Sequence, residues 1–85
     1  MKEFKYVIKD TEGIHARPAG MLVKEAAAFS GTVKIAKGDK EVDAKRLLAV
    51  MGLGVKCGEE ITVRVEGDGE EAAAEKLQAF LEANL

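Results

Sequence analysis

The chain contains one histidine, His15, in the run Gly13-Ile14-His15-Ala16-Arg17-Pro18-Ala19. A lone histidine is most often an idle surface residue, but the setting of this one is unusual. The apolar spacing that begins after Ala16 is that of a helix, so His15 falls where a loop ends and a helix starts. A helix start exposes backbone N–H groups without partners and carries partial positive charge. Such an end receives phosphate readily. Pro18 fits the first helical turn, where its missing N–H costs no hydrogen bond, and it restricts Arg17 before it. Arg17 adds a guanidinium that forks onto phosphate oxygens. The chemistry this implies is phosphoryl transfer through the imidazole. A positive helix end disfavours imidazolium and so presents the neutral, nucleophilic ring. The arriving phosphoryl group would meet the helix start formed by Ala16, Arg17 and Pro18. His15 is thus the expected phospho-acceptor and Arg17 the expected phosphate partner.

The elements that must hold this run can be read from periodicity. Residues 3–9 place Phe4, Tyr6 and Ile8 on one side, a half-buried strand with Val7 as the exception. Asp10-Thr11-Glu12-Gly13 reads as a loop. Ala19, Leu22, Val23, Ala26 and Phe29 recur three or four apart, a helix face. Ser30-Gly31 is expected to stop it, with Gly31 as the C-terminal cap. Val33 and Ile35 belong to a second strand. Gly38-Asp39 signals a two-residue hairpin turn, and Glu41-Val42-Asp43 the short return strand. Residues 46–52 make about two helical turns, ended by Gly52 and Gly54. Ile61, Val63 and Val65 alternate with Thr62, Arg64 and Glu66, the clearest strand in the chain. Gly67-Asp68-Gly69 turns the chain into a last helix, capped by Asp68 or Gly69, with Glu70 and Glu71 in its first turn. Ala73, Leu77, Phe80 and Leu81 form that helix's expected buried stripe.

The order is β-α-β-β-α-β-α. Alternating strands leave one sheet face wet, which predicts an antiparallel sheet with the helices on the other face. The expected fold is an α+β two-layer sandwich in a single domain, residues 1–85. Local pattern leaves the strand order open, and a ferredoxin-like order fits the same string.

Composition narrows the function. With 13 basic and 15 acidic residues, the net charge of −2 gives no reason to expect nucleic acid or an anionic membrane. No apolar stretch approaches the roughly 20 residues of a membrane helix, and no signal peptide is apparent. A single cysteine, Cys57, suits a reducing compartment. A soluble, cytoplasmic protein is expected. One histidine and one cysteine without ligand spacing argue against a metal enzyme, and no cofactor is called for.

The run Gly13–Ala19 resembles the phosphorylation motif of HPr, the phosphocarrier family of the bacterial sugar phosphotransferase system. A second stretch, Val42-Asp43-Ala44-Lys45-Arg46-Leu47-Leu48-Ala49-Val50-Met51-Gly52-Leu53-Gly54-Val55, resembles that family's short second helix and the turn after it. The likeness extends over essentially the whole chain. It implies four antiparallel strands with three helices on one face. It implies that Enzyme I, charged by phosphoenolpyruvate, phosphorylates the δ1 nitrogen of His15, and that IIA domains of sugar permeases receive the group. A carrier of this kind is not an enzyme in its own right, and a monomer is expected. A regulatory, protein-binding paralogue without a role in sugar uptake is the alternative.

The short second helix is apolar around most of its circumference, so part of it must face outward. Leu47, Leu48 and Met51 are assigned to partner contact, with Met21 and Lys24 bordering the same surface. The resemblance breaks at Arg46, where many members carry a regulatory serine. Arginine has no hydroxyl to take a phosphate, so control by HPr kinase at this position is not expected. A cation there meets the positive end of the second helix, an effect that Asp43 could offset in part by capping the helix or by pairing with a nearby cation. Glu12 places a further acid near the histidine loop, and Gly20 is atypical of the family.

Overall fold

The period-two run at the beginning of the chain forms β1 (Lys2–Val7), and the helical run after it forms α1 (Ala16–Ala27), in a computed structural model describing residues 1–85. There follow β2 (Thr32–Lys37), β3 (Lys40–Asp43), α2 (Leu47–Gly52), β4 (Glu60–Glu66) and α3 (Glu70–Asn84). The four strands make one sheet in the order β1-β4-β2-β3, with every pairing antiparallel. The strand order, open in the sequence, is therefore settled: β4 lies between β1 and β2, and β1 and β3 form the edges. Gly38 and Asp39 join β2 to β3, with Lys37 opposite Lys40. Gly38 takes φ +59° while Asp39 does not. Positive φ at the first central position only is what a II′ hairpin turn demands.

The alternation of the strands decides which side of the sheet the helices cover. Ile8, Val33, Ile35, Ile61, Val63 and Val65 are buried, with Phe4 and Tyr6 half-buried against them. The helices supply Ala19, Leu22 and Ala26 from α1, Val50 from α2, and Ala74, Leu77 and Leu81 from α3. On the wet face Arg64 pairs with Glu3 of β1 at 2.7 Å and, across β2, with Glu41 of β3. Val7, the exception in its strand, is exposed.

Three local expectations are corrected. Gly31 is not a helix cap. The cap of α1 is Ala28, in right-handed backbone, and Gly31 has an ordinary φ. A Cβ at Gly31 would press into the Glu66 carbonyl oxygen and the Phe29 ring, so close packing against β4 requires glycine there. The stripe of α3 includes Ala74, buried more deeply than Ala73. Asp43 does not cap α2: its carboxylate accepts the Lys45 N–H at 2.9 Å, turning the chain before the helix begins.

The start of α3 is held through Glu70. Its carboxylate accepts the Gly67 N–H at 3.2 Å and lies 2.7 Å from the Met1 amino group. The amino group and then the Gly67 N–H hold this carboxyl below its usual range, and the amino group is raised in return. Lys45 has a role its sequence position does not announce. Its ammonium donates to the carbonyls of Phe29 at 2.6 Å and Gly31 at 2.7 Å, fastening the approach to α2 onto the end of α1.

Candidate functional site

Loop residues 8–14 and 53–59 are stitched together, and His15 stands on the seam. The Ile8 N–H donates to the Glu59 carbonyl at 3.0 Å, Gly58 N–H to Ile8 at 2.7 Å, and Ile14 N–H to Val55 at 3.0 Å. Residue 85 joins the same seam: its buried backbone oxygen accepts the N–H groups of Lys9 at 2.6 Å and Asp10 at 2.9 Å. Gly13, at φ +69°, lies flat on the Val55–Lys56 backbone. Behind the seam, Glu59 accepts the Lys56 N–H at 2.7 Å and pairs with Lys37 at 3.1 Å. The Lys56 N–H first and the Lys37 ammonium second hold the Glu59 carboxyl below its ordinary value. A depressed carboxyl contributes fully above the ordinary carboxylate range, and the contribution fades as pH falls through the lowered value. Glu59 faces solvent, so this brace is screened.

His15 occupies the N-cap position of α1 in extended backbone, with φ −96° and ψ −177°. Its side chain makes no cap hydrogen bond, and its carbonyl accepts the Ala19 N–H at 2.9 Å. The N–H groups of Ala16 and Arg17 have no partner in the chain, and Pro18 has no N–H to satisfy. The imidazole is 37% exposed. It shares a shallow depression with Asp10, Arg17, Pro18, Met21 and Asn84. Arg17 is exposed and has no acidic partner, which leaves its guanidinium available. The depression thus combines a nucleophilic ring, two unpaired N–H donors, the positive end of a twelve-residue helix and a free cation. That set can receive a phosphoryl group and yield it to a larger surface.

His15, Arg17 and Pro18 line one depression, joined there by Met21, which the sequence placed at the border of the partner surface. Lys24 is exposed and lines, with Met21, Phe80 and Asn84, a groove between α1 and α3. Leu47 and Leu48 line a separate depression with Asp43, Arg46 and Ala49. Val50 turns inward and is fully buried, whereas Leu48 is 83% exposed, with Leu47 and Met51 partly so. Arg46 is exposed at the N-cap position of α2. Glu12 is exposed, and its N–H donates to Asp10 Oδ1 at 2.8 Å. Cys57 is exposed, its sulfur 3.6 Å from the Lys9 carbonyl oxygen.

Sequence reasoning missed Asp10, which read as an ordinary turn residue. Its Oδ1 lies 3.6 Å from His15 Nε2. The only signal was a carboxylate five positions before the histidine, and only the fold of the loop makes that spacing a contact.

A family model described as the PTS HPr component phosphorylation site matches residues 2–83. The chain is 41% identical over 85 residues to the phosphocarrier protein HPr of Mycoplasma genitalium, covering 99% of this chain and 97% of that protein. It is 37% identical over 85 residues to the HPr-like protein Crh of Bacillus subtilis, covering all of both. A crystal structure of HPr from Thermoanaerobacter tengcongensis superposes with a TM-score of 0.93 at 40% identity, covering 98% of this chain and 93% of that one. No helix is long and apolar enough to cross a membrane. From motif, topology and site alike, the chain belongs to the HPr family, the phosphocarriers of the bacterial sugar phosphotransferase system.

Proposed function

We propose that this chain accepts a phosphoryl group from phosphorylated Enzyme I on the δ1 nitrogen of His15 and passes it to IIA domains of sugar permeases. Residues 1–85 act as one carrier domain, as a monomer in the cytoplasm, without hydrolysing the group. The observation that carries the reading is the half-exposed imidazole beside the unpaired N–H groups of Ala16 and Arg17 at the start of α1. Neutral imidazole attacks phosphorus, the N–H donors and Arg17 meet the developing charge, and the shallowness of the site lets a partner close over it. Incubation with Enzyme I and phosphoenolpyruvate, followed by intact mass, tests this. One phosphate per chain is expected, labile in acid and stable in alkali. A chain that stays unmodified under conditions that charge an established HPr would sink the reading.

Arg17 contacts the phosphoryl group in this reading but no part of the core. Arg17→Ala is expected to slow transfer to a IIA domain about tenfold, the scale of one charge-assisted contact at an exposed site, with an unchanged melting curve. Rapid-quench transfer rates equal to those of the unmodified chain would remove Arg17 from the site.

The partner surface in this reading is the exposed side of α2, with Leu47, Leu48 and Met51, extended by Met21 and Lys24 along α1. Leu48→Asp should leave stability within about 0.5 kcal/mol, because the side chain already stands in water. It should weaken Enzyme I binding about tenfold or more, as loss of an apolar anchor does. Titration calorimetry and thermal melts on the same samples check both halves. Unchanged affinity takes Leu48 out of the interface.

A further inference from the structure

Asp10 is the one carboxylate that reaches the His15 ring, and the turn holds it in place from several sides. Its N–H is bonded to the residue 85 oxygen at 2.9 Å, its carbonyl accepts the Gly13 N–H at 2.9 Å, and its Oδ1 accepts the Glu12 N–H at 2.8 Å. That same Oδ1 faces His15 Nε2 at 3.6 Å. This is ion-pair distance, longer than a hydrogen bond, so the contact strengthens when the ring carries positive charge. The other charged group in the depression is Arg17, on α1; α3 contributes only the neutral Asn84. Glu12 lies in the same loop and is exposed.

We infer that Asp10 is a positioning residue for the phosphoryl relay: it keeps the proton on His15 Nε2 and supports the cationic ring formed when the other nitrogen is phosphorylated. The inference rests on His15 being the acceptor. In the forward step the Nδ1 lone pair forms a bond to phosphorus as the bond between phosphorus and its atom on the donor breaks, that bond's electron pair returning to the donor. The ring now carries a positive charge, with the proton still on Nε2 beside the Asp10 carboxylate. In the onward step the acceptor's nucleophile attacks phosphorus, and the Nδ1–P electron pair returns to the ring, which is neutral again. No proton leaves the ring in either direction, so the relay needs no acid or base in the carrier. Asp10 also selects which nitrogen attacks, because a proton held on Nε2 leaves the lone pair on Nδ1.

Asp10→Asn is the test, because the amide oxygen keeps the bond to the Glu12 N–H and removes only the charge. The tautomer is read from ring ¹⁵N shifts of His15 in the unphosphorylated protein, above the pH at which the ring is neutral. The unmodified chain is expected to hold mainly the Nε2–H form, and the variant to move toward a mixture. Acceptance from Enzyme I should slow about tenfold, the effect of one charge at this distance in a water-like dielectric. Unchanged tautomer populations, or an unchanged rate of acceptance, overturns the role of Asp10. Failure of the unmodified chain to take up phosphate would instead overturn the carrier reading, and the ring shifts would still report on Asp10.

Discussion

His15→Ala is expected to take up no phosphate from Enzyme I and phosphoenolpyruvate, while folding as the unmodified chain does. The loss should be complete because no second histidine exists to accept the group. The fold should persist because of how little the side chain does for it. The imidazole makes no cap hydrogen bond, is 37% exposed, and its contact with Asp10, at 3.6 Å, is accessible to solvent. The bond that ties this position into α1 comes from its backbone carbonyl, which alanine retains. Stability should therefore change by no more than about 0.5 kcal/mol. Intact mass and a thermal melt on one preparation decide the matter. Phosphate retained by the variant would place the acceptor elsewhere and remove the basis of the site.

Gly13→Ala should do the opposite: spare every chemical group of the site and damage the platform under it. Alanine at φ +69° is in the left-handed region, which costs about 1–2 kcal/mol for a residue with a Cβ. That Cβ would also lie 2.8 Å from Lys56 Cα and closer still to the Val55 carbonyl oxygen. Both are backbone atoms and cannot rotate away. The oxygen is the acceptor of the Ile14 N–H, so relief of the clash breaks a bond next to His15. A total of about 2–4 kcal/mol follows, within the range of mutations that strain a special backbone position. For a chain of this size that lowers Tm by roughly 10–25 °C. A melt within a few degrees of the unmodified protein would mean that the two loops separate without cost.

Much of this architecture was legible because alternation and helical spacing are local. Phe4, Tyr6 and Ile8 announced β1, and Ile61, Val63 and Val65 announced β4, each facing the way its pattern required. The position of His15 at the start of α1 followed from Gly13, Pro18 and the apolar spacing after Ala16. The strand order did not follow. A two-residue turn ties β2 to β3, but no local signal says that β4 enters between β1 and β2. Gly31 was misread for a related reason. Glycine after a helix suggests a cap, whereas the demand here comes from Glu66, 35 positions away in sequence, and from the Phe29 ring. Asp10 and Lys45 escaped notice because their partners are set by loop geometry, not by spacing. Their types, an acid in a turn and a lysine before a helix, are what solvent-facing positions usually carry.

The long reach of β1 orders events during biosynthesis. Residues 2–7 have their only strand partner in residues 60–66, and Lys9 and Asp10 have theirs in residue 85. On a ribosome adding roughly 5–20 residues per second, the first strand must wait several seconds for β4 to be made. Throughout that interval the segments of α1, β2 and β3 lack the interior strand and the 53–59 loop that anchor the residues before His15. A nascent chain can form the β2–β3 hairpin early, but the seam beneath the histidine is complete only when residue 85 arrives. The loop before His15 is thus made well before the segments that hold it in place, and takes its final shape late.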